Sequence, residues 1–186
     1  GRYIIYTLLS DNTMINSSNN KVVNDVIAIG NLNTVITKKN LETSYKFLVS
    51  YDIEDIIPIR CQNYYVLTTT GDIYYVDTYK NIHALLISNV QHMRGWNGYI
   101  LAWNDKDLYK IHSRTIRGTL NMSGIKDVSI TAGKYSGRYS GDIAILTEKN
   151  IFLAKMSSFE IRRCINVSNV EQICLKYNIL GCMTRN

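Results

Sequence analysis

Tyr65-Val66-Leu67-Thr68-Thr69-Thr70-Gly71-Asp72-Ile73-Tyr74-Tyr75-Val76 sets two runs of β-branched and aromatic residues on either side of a Gly-Asp pair. Such side chains suit a pleated, half-buried surface. Gly-Asp supplies the positive φ that a tight hairpin turn needs. The stretch therefore predicts a β-hairpin turning at Gly71-Asp72. The cassette returns at 100–111 and 143–154, and more faintly at 34–44 and 3–16. Its other turns align at Asp11-Asn12, Lys39-Asn40, Lys106-Asp107 and Lys149-Asn150. The period is about 30 to 36 residues and lengthens to 43 in the last interval.

Each cassette follows another β-type segment, at 24–29, 54–60, 90–96, 126–131 and 171–176, except the first, which has none before it. Three of these segments carry an acidic residue just before their hydrophobic pair: Asp25, Asp55 and Asp127. No stretch sustains apolar residues at i, i+3, i+4 and i+7, so almost no helix is expected. Short strands at regular spacing with turn signals between them indicate a sandwich, barrel or propeller. Three or four strands per unit of this length favour a propeller blade. The prediction is an all-β, β-propeller-like array of short three- to four-stranded blades, about five of them and incomplete at the ends. A β-sandwich is the alternative.

The 186 residues read as a single repeat domain with approximate units 1–20, 21–50, 51–87, 88–122, 123–166 and 167–186. The first unit supplies the last strands of a blade and the final one supplies the first. The ends either complete one blade together or leave an arc that a second copy or more sequence would finish. A hydrophobic fraction of 46% suffices for one well-buried core, and the one proline, Pro58, marks no linker. Abundant Asn, Ile, Lys and Tyr suggest an AT-rich coding genome, of a microbe, a protist or a large DNA virus.

The best copy, residues 55–61 followed by 66–75, resembles the regulator-of-chromosome-condensation repeat family, whose blades read roughly V-x-x-I-x-x-G and then A-L-T-x-D-G-x-V-Y. Residues 144–152 and 101–109 are similar. The Gly-x-x-His and W-G-x-N-x-x-G-Q-L-G segments of that family are absent here, and the family closes seven blades. The resemblance implies binding roles: exchange on a Ran-like small GTPase, nucleosome contact, inhibition of a β-lactamase, or recognition within a larger protein. It carries over no functional residue.

The most unusual local stretch is Ala132-Gly133-Lys134-Tyr135-Ser136-Gly137-Arg138-Tyr139-Ser140-Gly141, an insertion containing a miniature repeat. Lys134 and Arg138 suit phosphates or carboxylates, while Tyr135 and Tyr139 suit stacking or a partner's pocket. These four are the candidate partner-binding residues. It is not a Walker loop, because a tyrosine follows Lys134. Trp96 and Trp103 read as a blade core with one indole buried. Lys106, Lys110, His112, Arg114 and Arg117 read as a solvated face, and Arg162-Arg163 and Lys38-Lys39 as surface pairs.

The four cysteines, Cys61, Cys164, Cys174 and Cys182, form no C-x-x-C pair and read as buried, reduced thiols. His83, His92 and His112 have no recognisable catalytic partner, so neither an enzyme, a metal nor a cofactor is expected. A net charge of +6 is weak support for an acidic partner. The expected role is a non-enzymatic protein-binding scaffold. The alternatives are a guanine-nucleotide exchange factor, a nucleic-acid or chromatin module acting through the basic surface, and a structural subunit that self-associates. No membrane contact is expected. The location would be cytoplasm or nucleus, or a virion if the source is a large DNA virus.

Overall fold

The hairpin at 65–76 is present, but its turn differs from the expected one. Thr68 N–H donates to Asp72 O at 2.9 Å and Gly71 N–H to Thr68 O at 3.0 Å. The loop therefore holds residues 69–71 and ends on Gly71 at φ 84°, the usual three-residue hairpin loop. Threonine hydroxyls support it: Asp72 N–H donates to Thr68 Oγ1 at 3.1 Å, and the Thr68 and Thr70 hydroxyls lie 2.8 Å apart. In the copies at 100–111 and 143–154 the closing bonds run from Asn104 N–H to Asp107 O and from Thr147 N–H to Asn150 O. These turns occupy 105–106 and 148–149, one residue earlier than predicted, and none of those residues has positive φ. Asn104 Oδ1 accepts from Lys106 N–H and Asp107 N–H, both at 2.9 Å. A short polar side chain thus does what positive φ was expected to do.

The structure, a computed structural model, describes residues 6–8, 14–16, 22–23, 26–29, 35–37, 40–42, 47–50, 53–59, 63–77, 79–80, 82–96, 98–132, 141–176 and 179–184. No helix occurs among them. They group into two compact units, Gly1–Ser88 and Asn89–Asn186. In the first unit, β1 (Tyr6–Leu8), β2 (Met14–Asn16) and β3 (Val22–Val23) form a three-stranded sheet. A four-stranded sheet follows, of β4 (Val26–Ile29), β5 (Val35–Thr37), β6 (Asn40–Glu42) and β7 (Phe47–Ser50). Another comprises β8 (Ile53–Pro58), β9 (Asn63–Thr68), β10 (Ile73–Asp77) and β11 (Ile82–Ile87).

The second unit begins with a four-stranded sheet of β12 (His92–Trp96), β13 (Tyr99–Trp103), β14 (Asp107–His112) and β15 (Thr115–Asn121). A second contains β16 (Asp127–Ala132), β17 (Gly141–Leu146), β18 (Asn150–Lys155) and β19 (Ile161–Asn166). Last comes a pair, β20 (Val170–Lys176) with β21 (Ile179–Thr184). Every pairing is antiparallel between strands consecutive in the chain. Small meanders replace the two broad layers that the sandwich alternative requires.

Strand position within a sheet sets burial. In the first unit β9 is buried on both faces from Tyr64 to Thr68. Tyr64 and Val66 share one face with Val76 and Ile53, and Ile56 and Tyr74 pack beside them. Pro58, which cannot donate to a ladder, ends the edge strand β8. In the second unit β17 is the inner layer of a stack. Ile143 and Ile145 meet Leu101, Trp103 and Leu108 on one side. Ala144 and Leu146 meet Val170, Ile173 and Leu175 on the other. Complete burial of a Leu or Ile side chain contributes about 1.5–3 kcal/mol, so this double-sided strand anchors the unit. The fourth strands β15 and β19 are mostly exposed.

A short motif escaped the sequence reading. Ser88-Asn89-Val90, Ser123-Gly124-Ile125 and Ser168-Asn169-Val170 each lead into a first strand. Their central residues have φ of 61°, 69° and 57°, and Val90, Ile125 and Val170 are buried. The left-handed residue turns the chain, and the aliphatic residue seats the new sheet. Asparagine and glycine are the residues that visit this conformation at least cost.

Candidate functional site: an open sheet edge and its cleft

First strands of neighbouring sheets in the second unit are clasped by side chains. Asp127, on β16, is only 7% exposed. Its Oδ2 accepts from Ile173 N–H of β20 at 3.0 Å, and its Oδ1 from Val128 N–H at 2.9 Å. Arg94 of β12 reaches Oδ1 with Nη2 at 3.4 Å. Two residues on, Ser129 Oγ accepts from Leu175 N–H at 2.8 Å. The acidic residue noticed at the start of these strands thus joins one sheet to the next. Asp55 makes the same local contact, accepting from Ile56 N–H at 2.7 Å. Asp25 lies outside the residues whose side chains are described.

Further out along the strands, the joint between sheets β12–β15 and β16–β19 is closed by Lys110. This lysine was read as part of a solvated face, but alternation turns it inward. Its Nζ donates to Met156 O at 2.8 Å and Ser157 O at 3.3 Å, and lies 4.9 Å from the centre of the Phe159 ring. Burial lowers its pKa from the usual 10.5. Lys106, Arg114 and Arg117 are exposed as expected, and His112 stacks on Tyr99 at 4.2 Å. Trp103 is the buried indole, and Trp96 packs against the edge of the same core.

Among the described residues no such joint closes the opposite face of β16–β19. There β20 lies over β16 and β17, and among the described residues the last sheet stops at β21. A cleft of about 290 Å³ remains beside it. Leu153 and Ala154 of β18, with Leu175 and Leu180, form its apolar floor. Asp142, Arg162 and Arg163 form its rim. Asp142 is ion-paired with Lys155, whereas neither arginine pairs with a carboxylate among the described residues. On β21 it is Leu180 that lines the cleft, while Ile179, 73% exposed, and Met183, 52% exposed, alternate to the strand's other face.

A β-bulge explains the arginine rim. Leu153 faces Arg163 across the β18–β19 pair and Ala154 faces Ile161, so Arg162 is the extra residue. Two residues opposing one lets consecutive side chains line the same cleft, against the alternation of a regular strand. Each four-stranded sheet has one such shift between its third and fourth strands.

The sequence-predicted contact residues Lys134, Tyr135, Arg138 and Tyr139 lie outside the described residues, as do Cys61 and Lys38-Lys39. Their segment joins β16 to β17, and Asp142, second residue of β17, lines the cleft. Cys164, Cys174 and Cys182 are free but exposed, which corrects the expectation of buried thiols. They sit on the edge strands of their sheets, where half of each strand faces outward. Among the described residues no His/Cys/Asp/Glu group is arranged to hold a metal, and no helix is long and apolar enough to cross a membrane.

Two solved structures share this architecture. The computationally designed Ika8 protein superimposes with a TM-score of 0.58 at 14% identity, over 99% of this chain and 66% of that one. The N-terminal domain of Nup159, a β-propeller, gives 0.52 at 11% identity, over 82% of this chain and 55% of that one. This chain is thus an all-β, propeller-like array of small blades, spanning just under two thirds or less of the length of each of these structures. At such identities the likeness is one of fold. No protein-family model and no curated protein sequence matches the chain.

Proposed function

We propose that the chain is a non-catalytic propeller-type scaffold that binds another protein, and that the β21 edge with its cleft is the contact surface. The supporting observation is the contrast on one sheet: one face of β16–β19 is closed by Lys110 and Phe159, while the other keeps an apolar floor of Leu153, Leu175 and Leu180 beside the β21 edge, which pairs with no further strand among the described residues. Interfaces commonly combine an apolar centre with arginine anchors and a polar rim. The Gly133–Gly141 stretch, with Lys134, Tyr135, Arg138 and Tyr139, is proposed as an adjoining contact because it enters β17 next to Asp142.

The test is site-specific photo-crosslinking in cell lysate. Benzoylphenylalanine in place of Ile179 captures a discrete protein, whereas the same group at exposed Lys149, in the β17–β18 turn, does not. Equal capture from both positions would refute the surface. So would recovery of nucleic acid instead, with binding that falls steeply with salt. The quadruple Lys134/Tyr135/Arg138/Tyr139→Ala variant tests the adjoining segment: unchanged capture from position 179 removes it from the interface.

A further inference from the structure

Third and fourth strands build the closed joint of the second unit. Lys110 pairs with Gly118 across β14–β15, one step before the bulge. Lys110 caps the carbonyls of the β18–β19 turn, and Gly118 lets that turn come close: a Cβ there would stand 2.9 Å from Phe159 Cδ1. The corresponding pair in the next sheet is Leu153 with Arg163, again one step before the bulge. The partner sheet, β20–β21, has no third strand among the described residues. Leu153 is therefore only partly buried, and Arg162 and Arg163 border a cleft.

We propose that β21 and this cleft bind an extended, acidic segment of a partner protein, which adds to β20–β21 as a third, antiparallel strand; this rests on the scaffold reading above. The outer edge of β21 pairs with no strand among the described residues, and such an edge presents main-chain donors and acceptors to an incoming strand. Side chains of an added strand alternate between faces. Those turned inward over Leu153 and Leu180 should be apolar. Inward side chains at the rim meet Arg162 and Arg163, which suit carboxylates. The rim's own acid is unavailable to them, since Asp142 is held by Lys155. Another copy of the same repeat fits less well. The close approach that Gly118 permits to Phe159 is blocked where Arg163 stands, so the occupant must bring room and negative charge for a guanidinium.

The probe is a fluorescein-labelled, end-capped peptide of about eight residues, typical of one strand, with threonine at the outward positions and, at the inward ones, valine over the floor and glutamate towards the rim. It is titrated with the full chain and followed by anisotropy. Saturable binding below about 1 mM is expected, weakened about tenfold or more by the Arg162→Glu/Arg163→Glu double variant. The same peptide with lysine replacing glutamate should not bind. N-methylation of one alternate set of peptide amides should abolish binding, and methylation of the other set should spare it, as strand addition requires.

Circular dichroism of the double variant shows whether it keeps its strands, and the lysine and N-methyl peptides test the proposal without altering the protein. Absence of saturation, equal binding of the lysine peptide, or equal tolerance of both methylated sets overturns the proposal. So does a dimer of the chain that the arginine variant loses and the peptide fails to displace, which would make a second copy the occupant. If the peptide fails while crosslinking from position 179 persists, the scaffold reading stands and this inference falls. If both fail, both fall.

Discussion

Replacing Asp127 by alanine should loosen the last two strands of the second unit. The carboxylate accepts a buried main-chain bond from Ile173 and a second from Val128, with Arg94 at its outer side. A hydrogen bond to a charged group is worth about 1.5–3 kcal/mol, and removing the acceptor leaves the Ile173 N–H buried and unpaired. The Arg94 contact adds little, about 0–1 kcal/mol, because its side chain is 60% exposed and screened by water. The expected loss is therefore about 2–4 kcal/mol. With a urea dependence of about 2 kcal/mol per molar, the unfolding midpoint falls by about 1–2 M.

Amide exchange gives the local readout: Ile173 N–H should exchange about 30-fold faster or more, since each 1.4 kcal/mol is a factor of ten. Asp127→Asn keeps one acceptor oxygen and should cost less. Ser129→Ala, which removes the acceptor for Leu175 N–H, should cost about 1 kcal/mol. A midpoint shift under about 0.3 M for Asp127→Ala, with unchanged exchange at Ile173, would refute the clasp.

Three further outcomes follow from single positions. Gly141→Ala should cost about 1–3 kcal/mol in thermal or urea unfolding, because the new Cβ would lie 2.9 Å from Thr131 O, a backbone atom that cannot swing away. Gly181→Ala, with its nearest atom at 3.7 Å, should stay within about 0.5 kcal/mol. Asn169→Val should lose about 1–2 kcal/mol because a β-branched residue is strained at φ 57°, whereas Asn169→Gly should be nearly neutral. Lys110 should give a pH signature. Its folded pKa is lowered by burial, so the unfolded chain holds this proton to higher pH, and wild-type stability rises relative to Lys110→Met as pH climbs through the lowered pKa towards 10.5. Parallel pH profiles for the two proteins would show that the buried amine is not the cause.

Much of the fold is legible because it is local. Tyr65–Val76 carries its own strand type and its own turn, and the hairpin forms where the sequence places it. The fourth strands were harder to see, since Thr115–Asn121 and Ile161–Asn166 are mostly exposed and lack the apolar pattern that marks a buried strand. The turn from β14 into β15 is built from Ser113 and Arg114, both at positive φ. Neither residue announces that conformation as glycine or asparagine would. The Ser-Asn-Val motif was present in the letters. It is invisible to a search for alternation because it lies between strands.

The candidate site is legible only in part, because it depends on pairing between strands. Asp127 stood out beside Asp25 and Asp55 as an acid at the head of an apolar strand, and its use as a clasp follows from its position next to another sheet. Arg162-Arg163 looked ordinary because a regular β19 would send the two side chains to opposite faces. The bulge that brings both to the cleft comes from one extra residue in the pairing with β18. The same bulge at Arg117 and Gly118 yields a closed joint. What separates joint from cleft is then the choice of glycine or arginine at the next position, together with the presence or absence of a neighbouring third strand. The residue choice can be read from the sequence once the register is known. The neighbour cannot, which is why a pair of ordinary letters became the strongest candidate site in the second unit.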